Sequence, residues 1–143
     1  MSKERVGIIS IHYGVNFGSA LQAIALSRYL KENYNFEKVD VINYIPQRFR
    51  RITRLKNLTG RGGAQFIHGL VRMYRFEKTN NKYISYLSKN TSVSKPIYSM
   101  NAAKTIFGDY KYLIAGSDQI WNSEYNQGID EMYYLGFASR KSS

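Results

Sequence analysis

A single helix-length segment separates two strand-like runs near the amino terminus, and that arrangement restricts the chain to few folds. Residues 5–11 place Val6, Ile8, Ile9 and Ile11 in a β-branched run suited to a central strand. Residues 39–44, Val-Asp-Val-Ile-Asn-Tyr, read as the next strand. Between them, residues 20–33 have a helical pattern. Leu21, Ile24, Ala25, Leu26, Tyr29 and Leu30 wrap much of the surface, Arg28, Lys31 and Glu32 keep one side wet, and Asn33-Tyr34-Asn35 closes the helix. A strand, a helix and a strand in this order pair in parallel through a crossover. The expected fold class is α/β, a Rossmann-like, mostly parallel sheet with flanking helices.

A third run, residues 112–115, reads as a short buried strand that stops at Gly116. Behind it stand Ser117, Asp118, Gln119 and Asn122, with the only tryptophan, Trp121, among them. In open α/β sheets the carboxyl ends of strands form the ligand crevice. There these side chains offer hydroxyl, carboxylate and amide groups to a polyhydroxylated or anionic ligand, and Trp121 offers a flat wall. The competing reading is a capping turn, with Ser117 or Asp118 as N-cap and Gln119 in the first turn of a helix.

The first strand leads into His12-Tyr13-Gly14-Val15-Asn16-Phe17-Gly18-Ser19, a glycine-bearing loop before a helix, where unpaired helix amides favour an anion. Gly14 and Gly18 are too far apart for the dinucleotide fingerprint, and no lysine follows as in a P-loop, which disfavours nicotinamide and nucleoside triphosphate. Asn16 and Gly18 also suit a left-handed turn.

The 143 residues are one domain's length, 43% hydrophobic and 22% charged. Without cysteine there are no disulfides, thiolate nucleophiles or thiolate metal sites, and His12 and His68 lack paired-ligand spacing, so no metal is expected. Residues 1–5 lead straight into a strand with no signal-peptide apolar region, which gives a cytoplasmic expectation. The net charge of +11 points to an anionic partner, a nucleic acid, a membrane surface or a small anion, or else to half of a balance whose acidic half is missing.

Gly7-Ile8-Ile9, the Asn16-Phe17-Gly18-Ser19-Ala20-Leu21-Gln22-Ala23 segment, Val41-Ile42-Asn43-Tyr44, Leu113-Ile114-Ala115 with Gly116-Ser117-Asp118-Gln119-Ile120-Trp121-Asn122, and Tyr133-Tyr134-Leu135 occur in that order. Together they resemble the start of the polysaccharide pyruvyl transferase family, with Phe17 where a tyrosine is more usual. The resemblance implies two Rossmann-like halves around a cleft, a GT-B-like fold. It also implies transfer of a pyruvyl group from phosphoenolpyruvate to two hydroxyls of a sugar or lipid-linked oligosaccharide, giving a ketal. It covers nearly all of this chain but less than half of the family's domain. Residues 1–143 are thus expected to be a single incomplete N-terminal domain, an excised piece or a truncated product, lacking the C-terminal half and exposing an apolar face where that half would dock.

Ketal formation needs a proton for the methylene carbon, a stabilised cationic C2 and a base for each hydroxyl. Asp118 is the expected acid or base, and His12, at the end of the first strand, a second candidate proton donor that titrates near neutrality. Gly116, Ser117, Gln119, Trp121 and Asn122 are expected to bind sugar, and Asn16, Gly18 and Gln22 to bind an anion or shape the turn. A hydrogen-bonded strand-end histidine is the competing reading of His12.

Residues 45–62 form a basic segment with Arg48, Arg50, Arg51, Arg54, Lys56 and Arg61 and no acid, read as a solvated, mobile loop, with a nucleic-acid or anionic-lipid patch as the alternative. A helix is expected over 64–78, with Phe66, Ile67, Leu70, Val71, Met73 and Tyr74 on its apolar side, and an irregular stretch over 79–96. A second helix is expected over 99–107, capped by Ser99 and stopped by Gly108. A non-catalytic glycan-binding or complex-forming domain and a basic nucleic-acid-binding module remain open beside the transferase.

Overall fold

The computed structural model describes residues 4–12, 17–56, 58, 62–108 and 110–136, without the side chains of Arg51, Ile52, Asp118 and Tyr125. Four strands, β1 (Arg5–Ile9), β2 (Lys38–Val41), β3 (Ser92–Val93) and β4 (Tyr112–Ala115), form one sheet in the order β3-β2-β1-β4, every pair parallel. The α/β class and the parallel, Rossmann-like sheet are as expected. The helices are α1 (Phe17–Asn33), α2 (Arg51–Lys56), α3 (Gly63–Asn90), α4 (Met100–Phe107) and α5 (Ser123–Asn126), with 3-10 turns at Gln47–Phe49 and Asp118–Trp121. None of the described helices is long and apolar enough to cross a membrane.

Alternation along β1 divides the core. Val6 and Ile8, with Val39 and Val41 beside them, face α1 and the second half of α3 through Ala20, Ala23, Leu30, Tyr83 and Leu87. Ile9, with Ile11 and Ile42 beyond the strand ends, meets Ala103 and Phe107 of α4 and Ile120, Met132 and Tyr133 of the closing segment. Strands covered on both faces are what a parallel sheet requires.

Gly7 sits on the α4 face, where an added Cβ would lie 2.9 Å from Leu113 Cδ2 and 3.1 Å from Ile42 Cδ1. In register with it is Asp40, which is fully buried. Tyr110 Oη donates to Asp40 at 2.7 Å, Ser92 Oγ donates to its other oxygen, and Lys38 Nζ (3.1 Å) and Arg5 Nη2 (3.5 Å) bring charge. The Arg5 guanidinium also lies 5.0 Å from the centre of the Tyr110 ring. Burial alone would push the carboxyl up, but the hydrogen bonds from Ser92, Tyr110 and Lys38 outweigh it and hold Asp40 below its ordinary value.

Four boundaries differ from expectation. β1 ends at Ile9 and β2 at Val41, although Tyr44 still bridges Ile97 in parallel. Helix α1 starts at Phe17, so Gly18 lies in its first turn and is no left-handed loop residue. The stretch expected to be irregular is helical to Asn90, because Asn80, Tyr83 and Leu87 continue a buried stripe that polar neighbours conceal. Two-residue β3 follows, too short for any periodicity to reveal. Ser99 caps α4 as expected, accepting from the Ala102 amide at 3.2 Å.

The basic segment over 45–62 is not simply a mobile loop. Among its described residues are a 3-10 turn and α2, fastened to α3 by a stack: Arg48 lies over Phe49 (4.8 Å), Phe49 stacks on Phe76 (6.0 Å), and Arg54 covers Phe76 (4.1 Å). Cation–π pairs of this kind each contribute about 0.5–1 kcal/mol at exposed sites.

Two outcomes are expected. Gly7→Ala destabilises by about 1–3 kcal/mol through overpacking, read by chemical denaturation. Because Asp40 titrates lower when folded than its ordinary 3.8, its stabilisation is fully present above about pH 4 and lost as pH falls through the folded value. Asp40→Asn should cost about 1–3 kcal/mol at neutral pH and flatten the acid limb of stability; an unchanged limb would refute the assignment.

Candidate functional site

The strand order places β2 and β3 on one side of β1 and β4 on the other. Connections therefore diverge at the carboxyl ends of β1 and β4, the switch point where open α/β sheets bind ligands. Ile9 pairs with Ala115, and the Gly116 amide donates to the Ile9 carbonyl at 2.9 Å. The segment at the end of β4 thus lies against the chain leaving β1, joining two stretches about a hundred residues apart.

Gly116 follows β4 directly; an added Cβ there would meet only Leu26 Cδ2, at an ordinary 3.9 Å. Ser117 is nearly buried, with φ 113° and ψ 135°, a conformation that L residues rarely adopt. Such a residue costs on the order of 1–3 kcal/mol and persists only where its surroundings enforce it. Its side chain makes no cap bond, so the expected Ser117 N-cap is not formed, and a 3-10 turn, Asp118–Trp121, takes the place of an α-helical start. Asp118 opens that turn.

Asn122 Nδ2 donates to Gln119 Oε1 at 3.1 Å, so these two amides orient each other. Trp121 is 58% exposed although its ring is held edge-on by Tyr134, centroids 4.8 Å apart at 90°. A rigid indole facing solvent beside polar side chains is a platform for a flat, partly apolar ligand face.

Asn126 anchors the turn from below. Its Nδ2 donates to the carbonyls of Gln119 (3.0 Å) and Ile120 (3.1 Å), and its Oδ1 accepts from Arg48 Nη2 at 3.1 Å. Asn126 also lines a cavity of about 560 Å³ outside the ends of β2 and β3, with Tyr44, Arg48, Arg50, Tyr98 and Asp130. Arg50 Nη2 donates to the Tyr98 carbonyl, while its Nε is buried without a partner among the described residues. Tyr44 donates to Asp130 Oδ2 at 2.8 Å. Burial and that bond push the phenol far above its usual range, so it remains protonated.

His12 is 1% exposed, with Nδ1 3.1 Å from the Ser10 carbonyl and Nε2 3.2 Å from Asn43 Oδ1. Burial pushes its pKa below 6.5 against the opposing pull of Asn43 and Ser10. The expectation that it titrates near neutrality is thereby corrected: the ring is neutral in its interior site, the hydrogen-bonded strand-end histidine of the competing reading. Gly18 and Gln22 lie exposed in the first turns of α1, and Asn16 falls outside the described residues.

Sequence reasoning missed Asn43, Asn126 and Arg48. Asn43 carried a faint signal as a polar residue closing an apolar strand; Asn126 and Arg48 carried none, since their roles depend on a contact 78 residues apart. No three histidine, aspartate or glutamate side chains among the described residues group as a metal site.

Asn126→Ala removes three hydrogen bonds and should destabilise by about 2–3 kcal/mol, at about 1 kcal/mol each. As Trp121 is the sole tryptophan, its emission should shift toward that of a free indole before global unfolding. A wild-type spectrum and stability would show that the turn holds without Asn126. Comparison with known proteins finds no matching family model, curated protein or solved structure.

Proposed function

We propose that this chain is the N-terminal, acceptor-side half of a GT-B-like polysaccharide pyruvyl transferase acting in the cytoplasm. What most supports the reading is one coincidence. The two stretches that carry the family resemblance, around residues 16–23 and 116–122, follow β1 and β4 in the sequence, and these two strands pair side by side at the switch point.

In this reading the sugar stacks on Trp121, and the Gln119 and Asn122 amides and the Ser117 hydroxyl orient its hydroxyls. Phosphoenolpyruvate is held mainly by a second α/β half. One sugar hydroxyl adds to C2 of the enolpyruvyl group while its methylene carbon takes a proton. The second hydroxyl then displaces phosphate, its proton departing to base, and the product is a cyclic ketal bearing a methyl group and a carboxylate. Asp118 is the acid or base of this half, since His12 is neutral and enclosed. His12 instead positions Asn43 beneath the crevice. Gly18 and Gln22, exposed in the first turns of α1, line the approach from that helix.

Trp121 fluorescence supplies the test. Titration with galactose-, mannose- and N-acetylhexosamine-containing glycans should perturb the emission. Phosphate release from phosphoenolpyruvate with the same acceptors, measured once a second half is supplied, should fall about 10²–10⁴-fold in Asp118→Asn. Turnover that survives this substitution would remove the acid–base assignment. Glycan binding with no phosphate release would favour a non-catalytic glycan-binding domain.

A further inference from the structure

Charge is distributed very unevenly along this chain. Residues 45–82 hold ten lysines and arginines against one acid, Glu77, so nine of the eleven net positive charges lie there. In the same stretch the first half of α3 turns large apolar side chains outward. Ile67 is 62% and Tyr74 63% exposed, with Phe66 and Val71 also exposed and Leu70 half-buried.

At about 100° per residue, Phe66, Leu70, Tyr74, Ile67 and Val71 fill one continuous arc of about 140°. The buried residues Met73, Asn80, Tyr83 and Leu87 occupy a separate arc, with centres about 130° apart. The expected apolar side of this helix is thus real but, apart from buried Met73, faces away from the core. Along one edge of it run Lys78, Lys82 and Arg75, with Arg72 farther round toward the buried arc, all exposed. An apolar stripe edged by basic side chains is the pattern of a helix lying in a lipid interface, where the stripe meets acyl chains and the cations meet headgroups.

We propose that the outward face of the first half of α3 docks this protein on an anionic lipid bilayer, while the basic segment, stacked on the opposite side of the helix through Phe76, adds its charge at longer range. The two halves of the signal exclude other occupants on physical grounds. A nucleic acid would satisfy the cations and could stack on Phe66 and Tyr74, but it gains nothing from the aliphatic Ile67, Leu70 and Val71 that make up the rest of the stripe. A second copy would bring another +11 against the first.

The topology gives the docking a direction. A helix joining parallel strands runs opposite to them, so α3 begins on the side of the strands' carboxyl ends. Its 28 residues span about 42 Å, against roughly 13–17 Å for strands of four or five residues. Its buried positions begin at Met73, so the first ten residues extend past the sheet on the side of the candidate site. Docking there turns the carboxyl-end side of the sheet, which carries Trp121, toward the membrane surface. The inference stands apart from pyruvyl transfer, since vesicle binding is read without turnover.

The test is flotation of the full chain with phosphatidylcholine vesicles, with and without phosphatidylglycerol, at about 0.1 M salt. The expected result is partitioning onto the anionic vesicles only. Ile67→Asp combined with Val71→Asp should weaken it roughly tenfold or more. Arg75→Gln with Lys78→Gln should weaken it roughly twenty-five-fold, about fivefold per charge. These positions are exposed, and unchanged thermal unfolding will confirm intact folding. Failure to partition, or partitioning indifferent to the aspartates, overturns the proposal. So does tight, salt-steep RNA binding indifferent to them in a chain that ignores vesicles, or self-association that the aspartates abolish without any vesicle binding.

Discussion

The parallel pairing of β1 with a neighbour on each side is the constraint from which the rest follows. Its backbone is bonded to β2 and β4, so both of its faces must be apolar, and both are covered by helices. The two neighbours are reached by opposite routes. After β1 the chain goes to α1 on one face, and after β4 it goes to the 3-10 turn and the segment packed on the α4 face. Two chain segments that leave the same edge toward opposite faces open a crevice between them. The position of the candidate site is thus a consequence of strand order.

The two edges of the sheet are built differently. Toward the amino ends, the absence of a side chain at Gly7 leaves room over β1, and Tyr110 reaches across the sheet to buried Asp40. There every charge and hydroxyl described around Asp40 converges on one carboxylate. Toward the carboxyl ends stand a serine in a rare backbone conformation, a tryptophan exposed to solvent and a neutral histidine sealed beneath. Backbone strain is concentrated in the segment after β4, where binding is proposed, and the hydrogen-bond network of Asp40 lies toward the opposite end.

The basic segment joins these parts to the outside. Stacked on α3 through Phe49 and Phe76, it holds Arg48 where that residue can bond Asn126, which in turn carries the turn bearing Trp121. The surface proposed for lipid and the crevice proposed for sugar are therefore linked by one short chain of side-chain contacts. A substrate with a glycan head and a lipid tail would meet both.

Local pattern alone determined much of this. Residues 112–115 are a strand and 100–107 a helix between Ser99 and Gly108, because a short apolar run, a capping hydroxyl and a stop act over a few residues. The parallel sheet was also legible, since a strand, a helix and a strand leave little else. The polar group behind β4 was visible from composition, but its backbone was not: nearly buried Ser117 takes a rare positive-φ conformation and makes no cap bond. His12 needed the fold to reveal that it is enclosed, and Asn126 to reveal that it holds the site. The outward apolar stripe of α3 had the right period and the wrong direction. Periodicity reports that a helix has an apolar side, but which side meets the core is decided by what packs against it, and for α3 the sheet reaches only its second half.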